Sequence, residues 1–336
     1  MSNNIGVSLC SLCTLWLNET MLRNFSSSDG TALGNIWNAA CGAKLAINAQ
    51  FVEFNTQPST GGIQAGRIAT QNGAPVGFIL ASALPNDART SASHMGWIDA
   101  LAVHPEFQHQ GIASGLLTWA EDYLRAQKCT AARLGGSLRP FVAGLPDELN
   151  NLAWFDKHGY KPRLNASTDW DLARDLRDYQ PRANYSSLDA TVRSARTDDH
   201  DAIMEFFMHD FPGRWRYEYE ESRRDGGRIS DYMLIITEDG VDGCARLTFE
   251  DSERPIERFY PHLLPHPWGQ LGSIGVSKRV RGKGLGGMLL DLSLCRMRDE
   301  GIRGCVIDWT SLVDFYGKYG FTPFRKYHML LKNLEQ

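Results

Sequence analysis

No apolar run in this 336-residue chain approaches the roughly 20 residues that a membrane helix needs, so no membrane partner is expected. The stretch Val7–Leu17 is apolar but short, and no positively charged segment leads into it, so it does not read as a secretory leader. Cysteine is scarce: the seven present are odd in number and show no framework spacing. That excludes a disulfide-stapled scaffold and fits a cytoplasmic, reducing location. Cys10 and Cys13 form a lone pair with no second half, and no His-Glu-x-x-His or EF-hand spacing occurs, so no metal is expected. Positive charge is not in excess either. With 35 Lys and Arg against 39 Asp and Glu, the net charge is −4, which argues against nucleic acid as a partner. The Gly-x-Ser-x-Gly elbow of the α/β-hydrolases is absent. The 43% hydrophobic composition is enough to bury sizeable cores, and the length suggests two domains.

Against these absences stands a repeated pattern. Leu101-Ala-Val103-His-Pro-Glu-Phe-Gln108-His-Gln-Gly111-Ile-Ala113 is matched by Ile274-Gly-Val276-Ser-Lys-Arg-Val-Arg281-Gly282-Lys283-Gly284-Leu-Gly286. Arg281 follows Gln108 by 173 residues, close to half the chain, so the pattern reads as two copies of one domain. Each copy is an apolar run, a short turn, then Gln/Arg-x-x-Gly-x-Ala/Gly opening an amphipathic helix. Glycine at the turn lets the backbone approach a ligand. The unpaired N–H groups and dipole of the helix start favour an anion, with a pyrophosphate the expected guest. Arg279, Arg281 and Lys283 add positive charge around the second loop.

A second matched element follows each loop. Leu152-Ala-Trp-Phe155-Asp-Lys-His-Gly159-Tyr160 and Leu312-Val-Asp-Phe-Tyr316-Gly-Lys-Tyr-Gly320-Phe321 are both helices ended by glycine, with an aromatic entering the next strand. Before each loop lies the same order of strand, capped helix and hairpin. The hairpins turn at Asn72-Gly73 and Asp239-Gly240. The first copy carries an additional segment, Gly135 to Pro146, expected to be a packing loop rather than a flap over a ligand. The second copy carries aromatic, charged insertions at Asp210–Glu221 and Phe259–Trp268.

The loop and the tyrosine-bearing helix together resemble the GNAT superfamily of acetyl-CoA-dependent N-acetyltransferases, twice, over nearly the whole chain. The resemblance implies an α/β (α+β) fold of two tandem GNAT domains, each a mixed, mostly antiparallel twisted sheet flanked by helices. The expected divisions are an N-terminal extension at 1–18, a degenerate domain at 19–178, a polar linker at 179–189 and a catalytic domain at 190–336. The resemblance also implies acetyl-CoA as co-substrate, held by Ile274, Val276, Arg281, Gly282, Lys283, Gly284 and Gly286. The matching first-copy set is Leu101, Val103, Gln108, Gly111 and Ala113.

Acyl transfer from a thioester to an amine needs a neutral amine, hydrogen-bond donors for the oxyanion and a proton for the leaving sulfur. In the family a tyrosine on the later helix gives that proton. The matching residue is Tyr316 in the second copy and Phe155, with no hydroxyl, in the first. The second copy is therefore the expected acyltransferase. Asp308, at the end of the strand before the tyrosine helix, is the candidate base, with a helix cap or surface carboxylate as the alternative role. Asp99 would serve if the first copy were active, and Gly272 is its counterpart in the second. Trp215, Tyr217, Glu218 and Trp268, flat apolar faces among charged groups, would suit a small polar amine. The layout is similar to the tandem GNAT enzymes, mycothiol synthase and the bacterial glucosamine N-acetyltransferases among them. The expected substrate is an amino sugar such as glucosamine. A peptide, a polyamine or aminoglycoside, and a non-catalytic sensor role stay open as alternatives, and a homodimer stays possible.

Overall fold

The computed structural model describes residues 20–164, 168–255 and 264–335. The expected extension, with Cys10 and Cys13, and the first part of the Phe259 insertion lie outside the described residues. The first half runs β1 (Met21–Asn24), α1 (Gly30–Cys41), α2 (Ala49–Asn55), β2 (Ile63–Gln71), β3 (Ala74–Ala83), β4 (Met95–Val103), α3 (Ile112–Ala126), β5 (Ala131–Leu134), β6 (Leu145–Pro146), α4 (Leu152–Lys157), β7 (Lys161–Pro162) and β8 (Thr168–Asp175). The second runs β9 (Thr191–Ser194), α5 (His200–Asp210), α6 (Arg214–Arg224), β10 (Tyr232–Thr237), β11 (Gly240–Thr248), β12 (Trp268–Val276), α7 (Leu285–Asp299), β13 (Gly304–Thr310), α8 (Val313–Gly317), β14 (Thr322–His328) and β15 (Leu330–Asn333). Among the described residues no helix is long and apolar enough to cross a membrane.

The duplication extends to single bonds. Arg23 forks onto Asp29, which also accepts from the Ser26 N–H. Arg193 forks onto Asp199, which accepts from the Arg196 N–H. Both pairs tie the first strand of a copy to the start of its first helix.

The strands form two mixed sheets, in the orders β1-β2-β3-β4-β5-β15-β7 and β6-β14-β8-β13-β12-β11-β10-β9. The halves exchange their final strands. β8, from the first half, pairs with β13 and β14 of the second sheet. β15, from the second half, pairs with β5 and β7 of the first. Side chains lock the exchange: Lys332 on β15 bonds both oxygens of buried Glu121 at 2.8 and 2.7 Å, and Leu330 and Leu334 enter the first half's core. The segment expected to be a linker is tied down as well. Buried Asp291 on α7 accepts from the Tyr179 and Tyr185 hydroxyls and from the Arg182 N–H.

In each sheet one parallel pair opens into a notch. β4 pairs with β5 only from Met95 to Ile98, and β12 pairs with β13 only from Trp268 to Gln270. Beyond those residues the strands diverge, and backbone of β4 and β12 is left to face a ligand. Helices α3 and α7 begin at the far ends of these strands.

Candidate active site

The two phosphate-type loops share one backbone conformation. Gly111 and Gly284, the residues before α3 and α7, have φ of +82° and +84°. Two positions earlier His109 and Gly282 are also left-handed, at +62° and +80°. Gln108 donates to the Val103 carbonyl at 3.0 Å, and Arg281 donates to the Val276 carbonyl at 3.4 Å. The signature side chain thus ties the loop to its own strand and leaves the helix N–H groups to face an anion. The loops differ in charge. The second gathers Lys278, Arg279, Arg281 and Lys283, whereas the first, from His104 to Ala113, has Glu106 and no Lys or Arg.

The tyrosine helices also correspond. Tyr160 N–H reaches the Phe155 carbonyl at 3.0 Å, and Phe321 N–H reaches the Tyr316 carbonyl at 3.3 Å. Gly159 and Gly320 take φ of +88° and +78°. Phe155 lines a groove of about 220 Å³ in the first half, together with Leu101, Val103, Gln108, Gly111 and Ala113. Tyr316 lines a separate cavity of about 250 Å³ in the second half.

That second cavity brings together Tyr316, Asp308, Ile274, Trp215 and Glu218. Val276 and the loop from Arg281 to Gly286 lie farther along, at the end of β12 and the start of α7. Two residues expected at the substrate site do not line the cavity. Tyr217 is on the opposite side of α6, packed with Leu84, Trp97 and Leu138, and its hydroxyl donates to the Thr60 carbonyl at 2.7 Å. Trp268 is buried at the closed end of the notch beside Val306.

Tyr316 is 5% exposed. Burial and the nearby Asp308 raise its phenol above the usual range, so it is a proton donor rather than a phenolate. Its hydroxyl makes no hydrogen bond among the described residues. Asp308 accepts from Gln270 Nε2 at 2.6 Å, and Thr248 Oγ1 donates to Gln270 Oε1 at 2.8 Å, which fixes the amide's orientation. Gly272 makes room for this arrangement: a Cβ there would sit 2.1 Å from Gln270 Nε2.

The rest of the wall comes from α6, from β11 and from Arg254. Arg214 donates to Glu218 at 2.7 Å and lies 4.7 Å over the Trp309 ring. Arg246 pairs with Glu253, and Arg254 with Glu221 at 3.1 Å. Each arginine of this set is paired with a glutamate, and the carboxylates that line the cavity itself are Glu218 and Asp308. Sequence reasoning missed Arg246, Thr248, Arg254 and Gln270. A signal existed for the first two, which interrupt the apolar Cys244-Ala245-x-Leu247 strand at a spacing of two and so share one face.

The first half braces this wall from behind. Arg214 donates to the Gly136 and Ser137 carbonyls, each at 2.8 Å, and Arg139 pairs with Glu221 at 3.2 Å. These residues belong to the additional segment from Gly135 to Pro146. The same segment drives Phe141, fully buried, among Trp37, Phe51 and Phe78. It is a packing loop. In the first notch the carboxylate is on the other strand: Asp99 corresponds to Gly272, and Gly135 to Asp308, by strand register. Asp99 is 1% exposed and accepts from Gln64 and Ser82. Burial pushes it up to about 6.

Comparison with known proteins agrees with this fold. The model of the Acetyltransferase (GNAT) family matches residues 35–138 and 200–321, more than half the chain. No curated protein matches. Among solved structures, a GCN5-related glucosamine N-acetyltransferase region of a fungal multi-domain β-N-acetylglucosaminidase has a TM-score of 0.83 at 20% identity. That match covers 94% of this chain but only 38% of the fungal one. A GCN5-related N-acetyltransferase from Sphaerobacter thermophilus has a TM-score of 0.67 at 18% identity, covering 94% and 96% of the two chains. A tandem GNAT protein from the clavulanic acid biosynthesis pathway has 0.66 at 15%, covering 94% and 99%. With its two loops, two notches and two matched helices, the chain belongs to the GNAT family of acetyltransferases, in the tandem form.

Proposed function

We propose that the chain N-acetylates a small primary amine, most favourably an amino sugar such as glucosamine, in the cavity of its second half. The observation that carries this reading is the pairing of Tyr316 and Asp308 in one cavity, against Phe155 and a sealed Asp99 in the first half. Acetyl-CoA, the acyl donor this family uses, supplies an acetyl group activated as a thioester. The residues present fit it: basic groups surround a loop of left-handed glycines at a helix start, next to strand backbone with no β13 partner. In this reading the Arg281–Gly286 loop binds the pyrophosphate, and Ile274 and Val276 on β12 orient the pantetheine arm. Asp308 takes a proton from the incoming ammonium at its carboxylate. Tyr316 gives a proton to the leaving sulfur.

The cavity supports an amino sugar in three ways. Trp215 and Trp309 offer flat apolar faces, the Arg–Glu pairs offer donors and acceptors for hydroxyls, and the Asp308 carboxylate suits an ammonium. An amine flanked by hydroxyls is also less basic than lysine, whose pKa is about 10.4, so a carboxylate suffices to free it. The glucosamine N-acetyltransferase region among the similar structures points the same way. The test is thiol release from acetyl-CoA with glucosamine, glucosamine 6-phosphate, a polyamine, an aminoglycoside and a lysine peptide. Glucosamine is expected to give the highest kcat/KM. A tenfold preference for the peptide overturns the sugar reading, and binding with no thiol release on any amine favours a sensor.

A further inference from the structure

We propose that Asp171, carried by β8 from the first half, is the positioning residue of Asp308. The inference rests on the reading of Asp308 as the base. It begins with a break in strand register. On β13, Ile307 pairs with Leu172 and Thr310 pairs with Trp170. Two residues, Asp308 and Trp309, therefore oppose the single residue Asp171. A bulge of this kind re-aims side chains, and bulges gather next to active sites. Here it presents Asp308 and Trp309 to the cavity. Trp309 adopts φ of +50°, a left-handed conformation that a bulky residue keeps only where its surroundings impose it.

Asp171 supplies that imposition. Its Oδ1 accepts from the Trp309 N–H at 3.1 Å, and its Oδ2 accepts from the Tyr327 hydroxyl at 2.7 Å. The carboxyl is 1% exposed. The charged or titratable groups facing it are Asp308 from β13 and Tyr327 and Arg325 from β14. Burial, then the like charge of Asp308, pushes Asp171 up to about 7. Near neutral pH the two carboxyls thus influence one another. An ionised Asp171 raises the proton affinity of Asp308, so Asp308 takes the ammonium proton more readily: the N–H bond breaks, an O–H bond forms on Asp308, and the amine keeps the electron pair. The strand exchange has a chemical consequence in this account, because the residue that aims the base belongs to the other half.

The experiment is the pH profile of kcat/KM for wild type, Asp171→Asn, Tyr327→Phe and Asp308→Asn, with acetyl-CoA affinity measured alongside. Asparagine keeps an acceptor for the Trp309 N–H but carries no charge. Because Asp171 keeps its proton to about pH 7, its ionisation adds an upper step to the acid limb of the wild type; Asp171→Asn is expected to remove that step, moving the limb's midpoint down by at least half a pH unit, and to lower kcat about tenfold, with coenzyme affinity unchanged. Tyr327→Phe removes one donor to the Asp171 anion and so raises Asp171 further; it is expected to move that upper step to higher pH, and it stands in should Asp171→Asn fold poorly. An unmoved acid limb in whichever folded variant is measured, even with a lowered Tm, overturns the proposal and leaves Asp171 purely structural. Wild-type turnover in Asp308→Asn overturns the underlying base reading instead. Loss of turnover in Asp308→Asn with an unmoved limb in Asp171→Asn overturns this inference alone.

Discussion

Replacing Tyr316 by Phe isolates one atom. The ring is 5% exposed and packs edge-on against Phe321 at 6.2 Å, and phenylalanine keeps that packing. The hydroxyl has no hydrogen-bond partner among the described residues, so its removal strands no buried donor or acceptor, and Tm should change by less than about 2 °C. What is lost is the proposed proton donor, a hydroxyl on a residue that lines the cavity. General acid catalysis contributes roughly 10²–10⁴-fold. We therefore expect kcat for thiol release to fall by about 10²-fold, equivalent to ~2.7 kcal/mol of transition-state stabilisation. The dissociation constant for acetyl-CoA should stay within about twofold, because the loop proposed to hold the pyrophosphate is elsewhere on the fold. The assay is steady-state thiol release with saturating acetyl-CoA, beside a binding titration. Near-normal kcat refutes the assignment and shows the residue to be a packed aromatic. Equal loss of kcat and coenzyme affinity refutes it too, by showing that the hydroxyl holds the cofactor.

Asp99→Asn should stabilise the protein at pH 8. The folded pKa of Asp99 is raised to about 6 from 3.8, so its neutral form is favoured by folding, and the wild type loses stability as pH rises from about 4 through 6. The gain in Tm should shrink to nothing below pH 4, and a pH-independent gain contradicts the buried-carboxylate explanation. Ending the chain after Met329 removes β15, with buried Leu330 and Leu334 and the Lys332 partner of Glu121. At roughly 2–5 kcal/mol per buried leucine, the loss rivals the ~5–15 kcal/mol that holds a domain folded. The first half should become protease-sensitive, and unchanged proteolysis counts against the strand exchange. Arg214→Ala removes two carbonyl contacts to the first half and the partner of Glu218. It should raise KM for the amine roughly tenfold or more and leave coenzyme affinity alone, whereas an unchanged amine KM separates α6 from substrate binding.

Much of this was legible in the sequence because it is local. Glycines at fixed places in the loops, the apolar strand before each loop and the Phe155/Tyr316 difference each follow from a few neighbouring residues. The exchange of β8 and β15 was not, since a strand pattern shows which face is apolar but not which sheet accepts it. Helix α6 was read as an insertion. Its buried residues are Arg216, Tyr217, Glu218, Tyr219, Glu221 and Ser222, mostly polar or charged, so no clear apolar stripe announces it. Tyr217 and Trp268 looked like ligand-binding aromatics because composition alone does not say which side of an element faces a cavity. The bulge at Asp308 and Trp309 depends on β8, which arrives from the other half, and the role of Asp171 was invisible for the same reason.

The central claim, that chemistry belongs to the second half, is tested most directly by an aspartate placed in each loop in turn. Gly111 and Gly284 share φ near +80°, and a Cβ at either meets nothing closer than 3.9 Å, so Gly111→Asp and Gly284→Asp carry the same local strain of ~1–2 kcal/mol. Each sets a carboxylate where a pyrophosphate is expected. The account predicts that thiol release with glucosamine collapses in Gly284→Asp and persists in Gly111→Asp. Collapse in Gly111→Asp with persistence in Gly284→Asp contradicts it.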